Sequence, residues 1–218
     1  VASEAQHKRL ASFLCDVAVP AMGRAELSPV GVFTVMDKPD DLSIYVLVPH
    51  QSLYSVARLT SRLMADEEFM SKGRGFLELS SKDKGYERID SSLLLAFDGV
   101  PKIEVPENKP RIFELRCYES HSALAGQKKI EMFNTGGELD IFRETGLQPV
   151  FFGEMLIGKN VPNLTYMLVF DDKEDRDAKW KQFINHPDWK RISKDPKYAD
   201  TVSKIHQTFL KPMDCSEI

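Results

Sequence analysis

The two halves of this chain follow one pattern, which restricts the folds open to it. Sliding the sequence against itself by 120 positions places the Pro-Val pair at 29–30 on the Pro-Val pair at 149–150. After a one-residue adjustment, the segment LSIYVLVP at 42–49 falls on LTYMLVFD at 164–171. A repeat of this length indicates two copies of one supersecondary unit.

One element of the second copy has no counterpart in the first. The strand-like run RIFELRCYE at 111–119 should be matched by a segment before Val1. We therefore expect residues preceding Val1 in the native protein to form that strand. The predicted domains are a first repeat at 1–100, a linker with three prolines at 101–110, and a second repeat at 111–218.

Composition excludes some classes of protein. At 218 residues with 42% hydrophobic residues, the chain can bury one large core or two small ones. No apolar run approaches the roughly 20 residues of a transmembrane helix, so membrane insertion is not expected. The formal charge of -4, with basic and acidic residues interspersed, gives no electrostatic footprint for nucleic acid.

The cysteines carry little information by their spacing. Cys15, Cys117 and Cys215 are odd in number and lack CxxC spacing, which favours neither a disulfide framework nor a zinc ribbon. We interpret them as small buried apolar residues plus one cysteine in the C-terminal tail. The cysteines therefore do not indicate whether the protein lies in an oxidising or a reducing compartment.

The first repeat is predicted to run helix, hairpin, helix, strand. Ser3 and Gln6 form a capping box at the start of the first helix. The later elements are a hairpin of 30–36 and 42–48, a helix over 53–64, a glycine-rich loop around 72–75, and a strand within 86–97.

The second repeat shows the same order with its first strand present. The acidic run from Asp171 to Asp175 suits the first turn of a helix better than a metal site. The predicted elements are a strand at 111–119, a helix over 122–145 interrupted at the glycines 136–137, a hairpin of 150–158 and 164–170, a helix over 171–183, and a closing strand at 200–210.

Two βαββαβ units predict an α+β fold of tandem ferredoxin-like repeats. Each unit is an antiparallel sheet with helices on one face only, so its other face needs a cover. One chain can provide that cover by packing its two sheets face to face as an α/β barrel, a pseudo-dimer within one chain. A homo-oligomer is also compatible with the sequence.

Several segments of the second repeat resemble the NIPSNAP family. They include ELRCYE at 114–119, GGELDIFRETG at 136–146, NLTYMLVFDD at 163–172, and the spacing Arg176-x-x-x-Trp180. The resemblance implies the dimeric α/β-barrel superfamily and a role in interaction or trafficking. The first repeat lacks both the ELRxY strand and the Arg-x-x-x-Trp pair, so it is a degenerate copy.

Alternation along 114–119 suggests a candidate site. If Leu115 and Cys117 face the helices, Arg116 and Tyr118 point to the other face, into the barrel lumen. If the neighbouring strands are aligned in the same way, three more residues join the predicted ligand site: Glu154, Tyr166 and His206. Such a group suits a small polar ligand, whereas the alternative is a structural ion pair between Arg116 and Glu154.

The sequence predicts no metal site and no cofactor. Its five histidines show no HxxxH or HExxH spacing. Neither a GxSxG nor a catalytic cysteine signature is present.

Two classes of function remain. One is a non-catalytic module that binds a protein partner or a small polar ligand. The other, implied by barrels of the same superfamily, is a small-molecule enzyme of monooxygenase or isomerase type, with Arg116 orienting an anionic substrate and Glu154 or His206 acting as base. A cavity of several hundred cubic ångströms lined by these residues would favour a ligand site.

Overall fold

The computed structural model describes residues 1–218 as eight α-helices and seven strands. The helices are α1 Glu4–Phe13, α2 Val19–Arg24, α3 Leu53–Met64, α4 Glu67–Leu77, α5 Ala123–Asn134, α6 Glu138–Glu144, α7 Lys173–Asn185 and α8 Pro187–Ile192. The strands are β1 Gly31–Val35, β2 Ile44–Leu47, β3 Leu93–Ala96, β4 Ile112–Glu119, β5 Gln148–Ile157, β6 Asn163–Phe170 and β7 Lys204–Pro212. None of the helices combines the length and apolar character that crossing a membrane requires.

The chain divides into two compact units. The first contains Val1–Ile89 together with the C-terminal segment Lys211–Ile218, and the second contains Asp90–Leu210. These units are defined by the structure, whereas the repeats at 1–100 and 111–218 with a linker at 101–110 are predicted from sequence similarity between the two halves. Within the second unit, the amide of Glu104 donates to the carbonyl of Val150, so the predicted linker lies along β5.

The second unit is built on an antiparallel sheet. Its strand order is β7, β4, β6, β5, β3. The first four of these are the βαββαβ strands in the order 4-1-3-2, so the predicted α+β class with a ferredoxin-like sheet is confirmed. The helix predicted over 122–145 is interrupted as expected, because Gly137 takes a φ of 95° between α5 and α6.

The first unit contains the predicted hairpin. β1 pairs antiparallel with β2, with Gly31 opposite Leu47 and Thr34 opposite Ile44. The C-terminal segment also bonds to β1, since the amide of Met213 donates to the carbonyl of Val32 in that strand, and the amide of Glu217 donates to the carbonyl of Val30 just before it. Helices and hairpin enclose an apolar core that includes Val17, Met22, Val30, Val32 and Phe69.

Two predicted elements of the first repeat were wrong. The segment 72–75 is the interior of α4 and not a loop, because Asp66 caps the helix and Phe69 anchors it in the core. A Cβ at Gly73 would lie 3.2 Å from the ring of Phe13, so this glycine permits close helix packing. Of the strand predicted within 86–97, only Leu93–Ala96 forms, and it pairs with β5.

The interpretation of the cysteines was also wrong. Cys15 and Cys215 form a disulfide with a Cα–Cα distance of 5.2 Å. They are 200 residues apart in sequence, so spacing gave no sign of the pairing. The bond ties the C-terminal segment to the helical turn that joins α1 to α2. Cys117 is the free cysteine.

The cap of α4 predicts a specific acid sensitivity. Hydrogen bonds from Arg24 and from the amide of Phe69 lower the pKa of Asp66 from 3.8 to about 2. Because the folded-state pKa is depressed, this stabilisation is complete above pH 3.8 and is lost as the pH falls through about 2.

We therefore expect Asp66→Asn to lower the melting temperature at neutral pH, and the difference from wild type to close between pH 4 and pH 2. Thermal melts across that range measure it. Glu67→Gln, at the neighbouring exposed acid, is the matched control and should change little. If the melting temperature of Asp66→Asn were lower than that of the wild type by the same amount at every pH, the assigned role of the Asp66 carboxylate would be contradicted.

Candidate functional site

The candidate site lies on the face of β4 that the helices of the second unit cover. Glu114, Arg116 and Tyr118 share this face, since side chains alternate along a strand. Glu114 and Arg116 contact α7, and Tyr118 bonds to Tyr166, whose ring packs against α5. The face predicted for Arg116 and Tyr118 was therefore wrong. Neither face of β4 is exposed, so apolar residues such as Leu115 and Cys117 do not mark the helix side.

Glu114 is the centre of this site. Its side chain is fully buried. Arg176 donates from Nε to Oε2 at 3.0 Å and from Nη2 to Oε1 at 2.9 Å. Trp180 donates from Nε1 to Oε2 at 2.8 Å, and Arg116 from Nη1 to Oε1 at 2.9 Å. Gln207 donates to Oε1 as well. Five donors thus saturate the two carboxylate oxygens.

The local structure explains why these donors converge. Arg176 and Trp180 lie four residues apart on α7, so they project from one face of that helix. Gln207 on β7 lies directly opposite Arg116 on β4. We call this group of five residues the Glu114 cluster: Glu114, Arg116, Arg176, Trp180 and Gln207.

Arg116 is held by aromatic rings as well as by the carboxylate. Its guanidinium carbon lies 4.5 Å from the centre of the Trp180 ring and 5.4 Å from that of Tyr118, within cation–π range. Burial opposes its charge, yet the pKa of Arg116 is raised by interactions with Tyr166, Tyr118 and Glu114. Its Nε is buried and makes no hydrogen bond.

Two tyrosines extend the polar group into the core. The hydroxyl of Tyr166 donates to that of Tyr118 at 2.8 Å. Burial raises the pKa of both phenols, so both remain neutral at physiological pH. The Tyr166 ring stacks on Phe152 at 4.5 Å and contacts Phe133. Aromatic side chains thus pack around Tyr166, whereas the Tyr118 ring also lies near the cations of Arg116 and Lys129.

A second buried ion pair lies beside the tyrosines, and the sequence did not reveal it. Lys129 on α5 donates to Oε2 of Glu138 on α6 at 2.6 Å, and both residues are buried. Burial raises the pKa of Glu138. The Lys129 ammonium also lies 4.4 Å from the centre of the Phe133 ring. The pair joins the two helices that cover the sheet.

The remaining predicted residues lie elsewhere. Glu154 accepts a hydrogen bond of 2.7 Å from Gln127 on α5, and Glu114 takes the place that we predicted for it beside Arg116. His206 lies opposite Cys117 on the other face of the sheet and hydrogen-bonds to Glu119. The structure thus groups Arg116, Tyr118 and Tyr166, and it separates Glu154 and His206 from them.

Sequence reasoning missed Glu114, Arg176, Trp180 and Gln207 as members of the site. The signal was present in part, because ELRCYE and the Arg-x-x-x-Trp spacing carried the family resemblance. Glu114 begins the first motif, and Arg176 and Trp180 define the second. A carboxylate accepts hydrogen bonds, and a guanidinium and an indole donate them, so the two motifs are complementary.

Two depressions on the surface of the protein do not include the candidate residues. Two open depressions of about 300 and 520 Å³ lie on the first unit, lined by residues from α1, α4 and the segment 81–87. None of Arg116, Tyr118, Glu154, Tyr166 and His206 lines either one. No group of three or more His, Cys, Asp or Glu in the chain is arranged to hold a metal ion.

Comparison with known structures places the fold. A candidate monooxygenase from Lactobacillus acidophilus is similar over 95% of this chain and 86% of its own, with 11% identity and a TM-score of 0.55. An anthrone oxidase-like protein is similar over 97% of this chain and 86% of its own, with 11% identity and a TM-score of 0.52. At these identities the likeness concerns the fold alone.

A protein-family model matches the second half of the chain. No curated protein matches the chain. A NIPSNAP-like domain protein from Burkholderia xenovorans shares 19% identity over 48% of this chain and 87% of its own, with a TM-score of 0.43. The family model for NIPSNAP matches residues 113–217, which contain every member of the Glu114 cluster. This match of residues 113–217 to the NIPSNAP family is the one that the motifs of the second repeat indicated.

Proposed function

We propose that this chain is a non-catalytic binding module that recognises a protein partner through its surface. The observation that carries the proposal is the saturation of the Glu114 carboxylate by the other members of the Glu114 cluster. Five donors occupy the two oxygens of Glu114, and the two tyrosines bond to each other. A site that binds a small polar ligand needs free polar groups lining a cavity. Here Arg116 Nε makes no hydrogen bond, but the Glu114 carboxylate and both tyrosine hydroxyls are engaged with other side chains of the site.

The energetics of burial support a structural role for the cluster. A buried charge is costly unless it is paired and hydrogen-bonded. Glu114 is fully buried and has two arginines as partners, Arg116 and Arg176, whose side chains are 13% and 20% exposed. The cluster therefore fixes β4, β7 and α7 to one another and supports the surface that the domain presents.

A second candidate function is a small-molecule enzyme, which one observation favours. His206 is oriented by a hydrogen bond to Glu119 on the sheet face away from α5 and α7, an arrangement suited to a general base. Cys117 lies opposite His206, but burial raises the pKa of its thiol, which disfavours a nucleophilic role. The similarity in fold to an anthrone oxidase-like protein is compatible with an enzymatic function.

Native mass spectrometry on protein purified without added cofactors distinguishes the two. The binding-module proposal predicts the bare polypeptide mass for wild type and for Arg116→Ala alike, with a lower melting temperature for the variant. A stoichiometric extra mass that His206→Gln or Arg116→Ala abolishes would overturn it in favour of a ligand site.

A further inference from the structure

Helix α3 presents an apolar surface that the first unit does not use. Leu59 and Leu63 pack against the core of that unit. By contrast, Leu53 and Met64 are 67% and 58% exposed. With Ala57 and Thr60 between them, these residues recur at intervals of four, three and four positions, which places them on one stripe of the helix. No residue of α3 is fully buried.

A second stripe beside the first carries uncompensated positive charge. Tyr54, Arg58 and Arg62 follow one another at intervals of four residues, and Tyr54 is 73% exposed. Both arginines are exposed, and neither makes an ion pair within 4.0 Å. Residues 42–65 contain no Asp or Glu, so the helix has no acid of its own to offset them.

We propose that this surface, the α3 outer face (Leu53, Tyr54, Ala57, Arg58, Arg62 and Met64), binds an acidic amphipathic helix of a partner protein. Such a helix would lay its apolar side chains on the stripe of Leu53, Ala57 and Met64 and direct carboxylates to Arg58 and Arg62. Small Ala57 at the middle of the stripe allows the two backbones to approach closely.

The charges nearby favour a helix over an anionic membrane. Asp66, Glu67 and Glu68 follow directly after α3, and the chain as a whole carries a formal charge of -4. A flat anionic surface would meet these acids, whereas a single helix meets α3 alone. This inference rests on the proposed function and adds to it the surface and the class of partner.

The test is binding of a fluorescently labelled synthetic helix of about five turns, with Leu at every third or fourth position and Glu on the flanking positions. We expect this peptide to bind at low salt, and binding to weaken at high salt. Its counterpart with Lys in place of Glu should not bind. Each of two double variants, Leu53→Ser/Met64→Ser and Arg58→Glu/Arg62→Glu, should weaken binding by roughly tenfold or more.

Leu124→Ser is the matched control, since Leu124 is also 67% exposed and also lies in the first turn of its helix, α5. It should leave peptide binding unchanged. The proposal is overturned if the Glu peptide does not bind, if all variants bind it equally, or if vesicles of phosphatidylserine and phosphatidylcholine bind in its place. Any of these outcomes, with a bare mass by native spectrometry, would leave the binding-module proposal standing with a different surface.

Discussion

Glu114→Gln is expected to lower the free energy of unfolding by about 3–5 kcal/mol, the usual cost of breaking a buried ion pair. Glutamine preserves the shape of the side chain but has one acceptor oxygen where the carboxylate has two. Its amide group would face donors from Arg176 and Trp180, and two guanidinium groups would lose their negative partner. Equilibrium unfolding in urea measures the change.

The same strand provides the control. Glu119 on β4 also accepts a hydrogen bond, from His206, but its side chain is 24% exposed and lies on the opposite face. Glu119→Gln should therefore cost about 1 kcal/mol or less. Equal effects of the two substitutions would show that Glu114 has no special structural role.

Removal of the Cys15–Cys215 disulfide is the second change with a large expected effect. The bond closes a loop of 200 residues. The chain-entropy model gives about 5 kcal/mol for a loop of that length, and measured losses for native disulfides are typically about 2–5 kcal/mol. We expect Cys15→Ser/Cys215→Ser to lose stability in that range, because the C-terminal segment is no longer tethered beside β1.

Treatment of the wild-type protein with a dithiol reductant should reproduce this loss. Cys117→Ser, at the free cysteine, is the control and should change the stability by about 1 kcal/mol or less. The disulfide assignment would be contradicted by a wild-type protein whose unfolding curve is the same with and without reductant.

Much of the fold could be predicted because its signals are local or periodic. The hairpins, α3 and the break between α5 and α6 follow from alternation, helical spacing and paired glycines. α4 was missed because two glycines in its interior are typical of a loop, whereas close packing of Gly73 against Phe13 decides in favour of a helix. The segment 86–97 forms only a short strand because, of its residues, only Leu93–Ala96 pair with β5.

The site was harder to predict because it depends on contacts between distant residues. The structure brings Arg116, Tyr118 and Tyr166 together, the first two through strand alternation and the third through the pairing of β6 with β4, a register that the sequence did not fix. The carboxylate that partners Arg116 could not be predicted. Glu114 and the Arg176–Trp180 pair lie about 60 residues apart, and the sequence does not show that they meet. The face of β4 was assigned wrongly because Leu115 and Cys117 are apolar, and on a strand with neither face exposed an apolar side chain does not identify the helix side.

A double-mutant cycle between Glu114 and Arg116 tests the central claim, that the Glu114 cluster holds the domain together and does not serve a ligand. The unfolding free energies of Glu114→Gln, Arg116→Met and the double variant are compared with that of the wild type. The account predicts that each single change destabilises and that the two are coupled by roughly 0.5–3 kcal/mol. Additive effects, or an Arg116→Met protein as stable as the wild type, would contradict it.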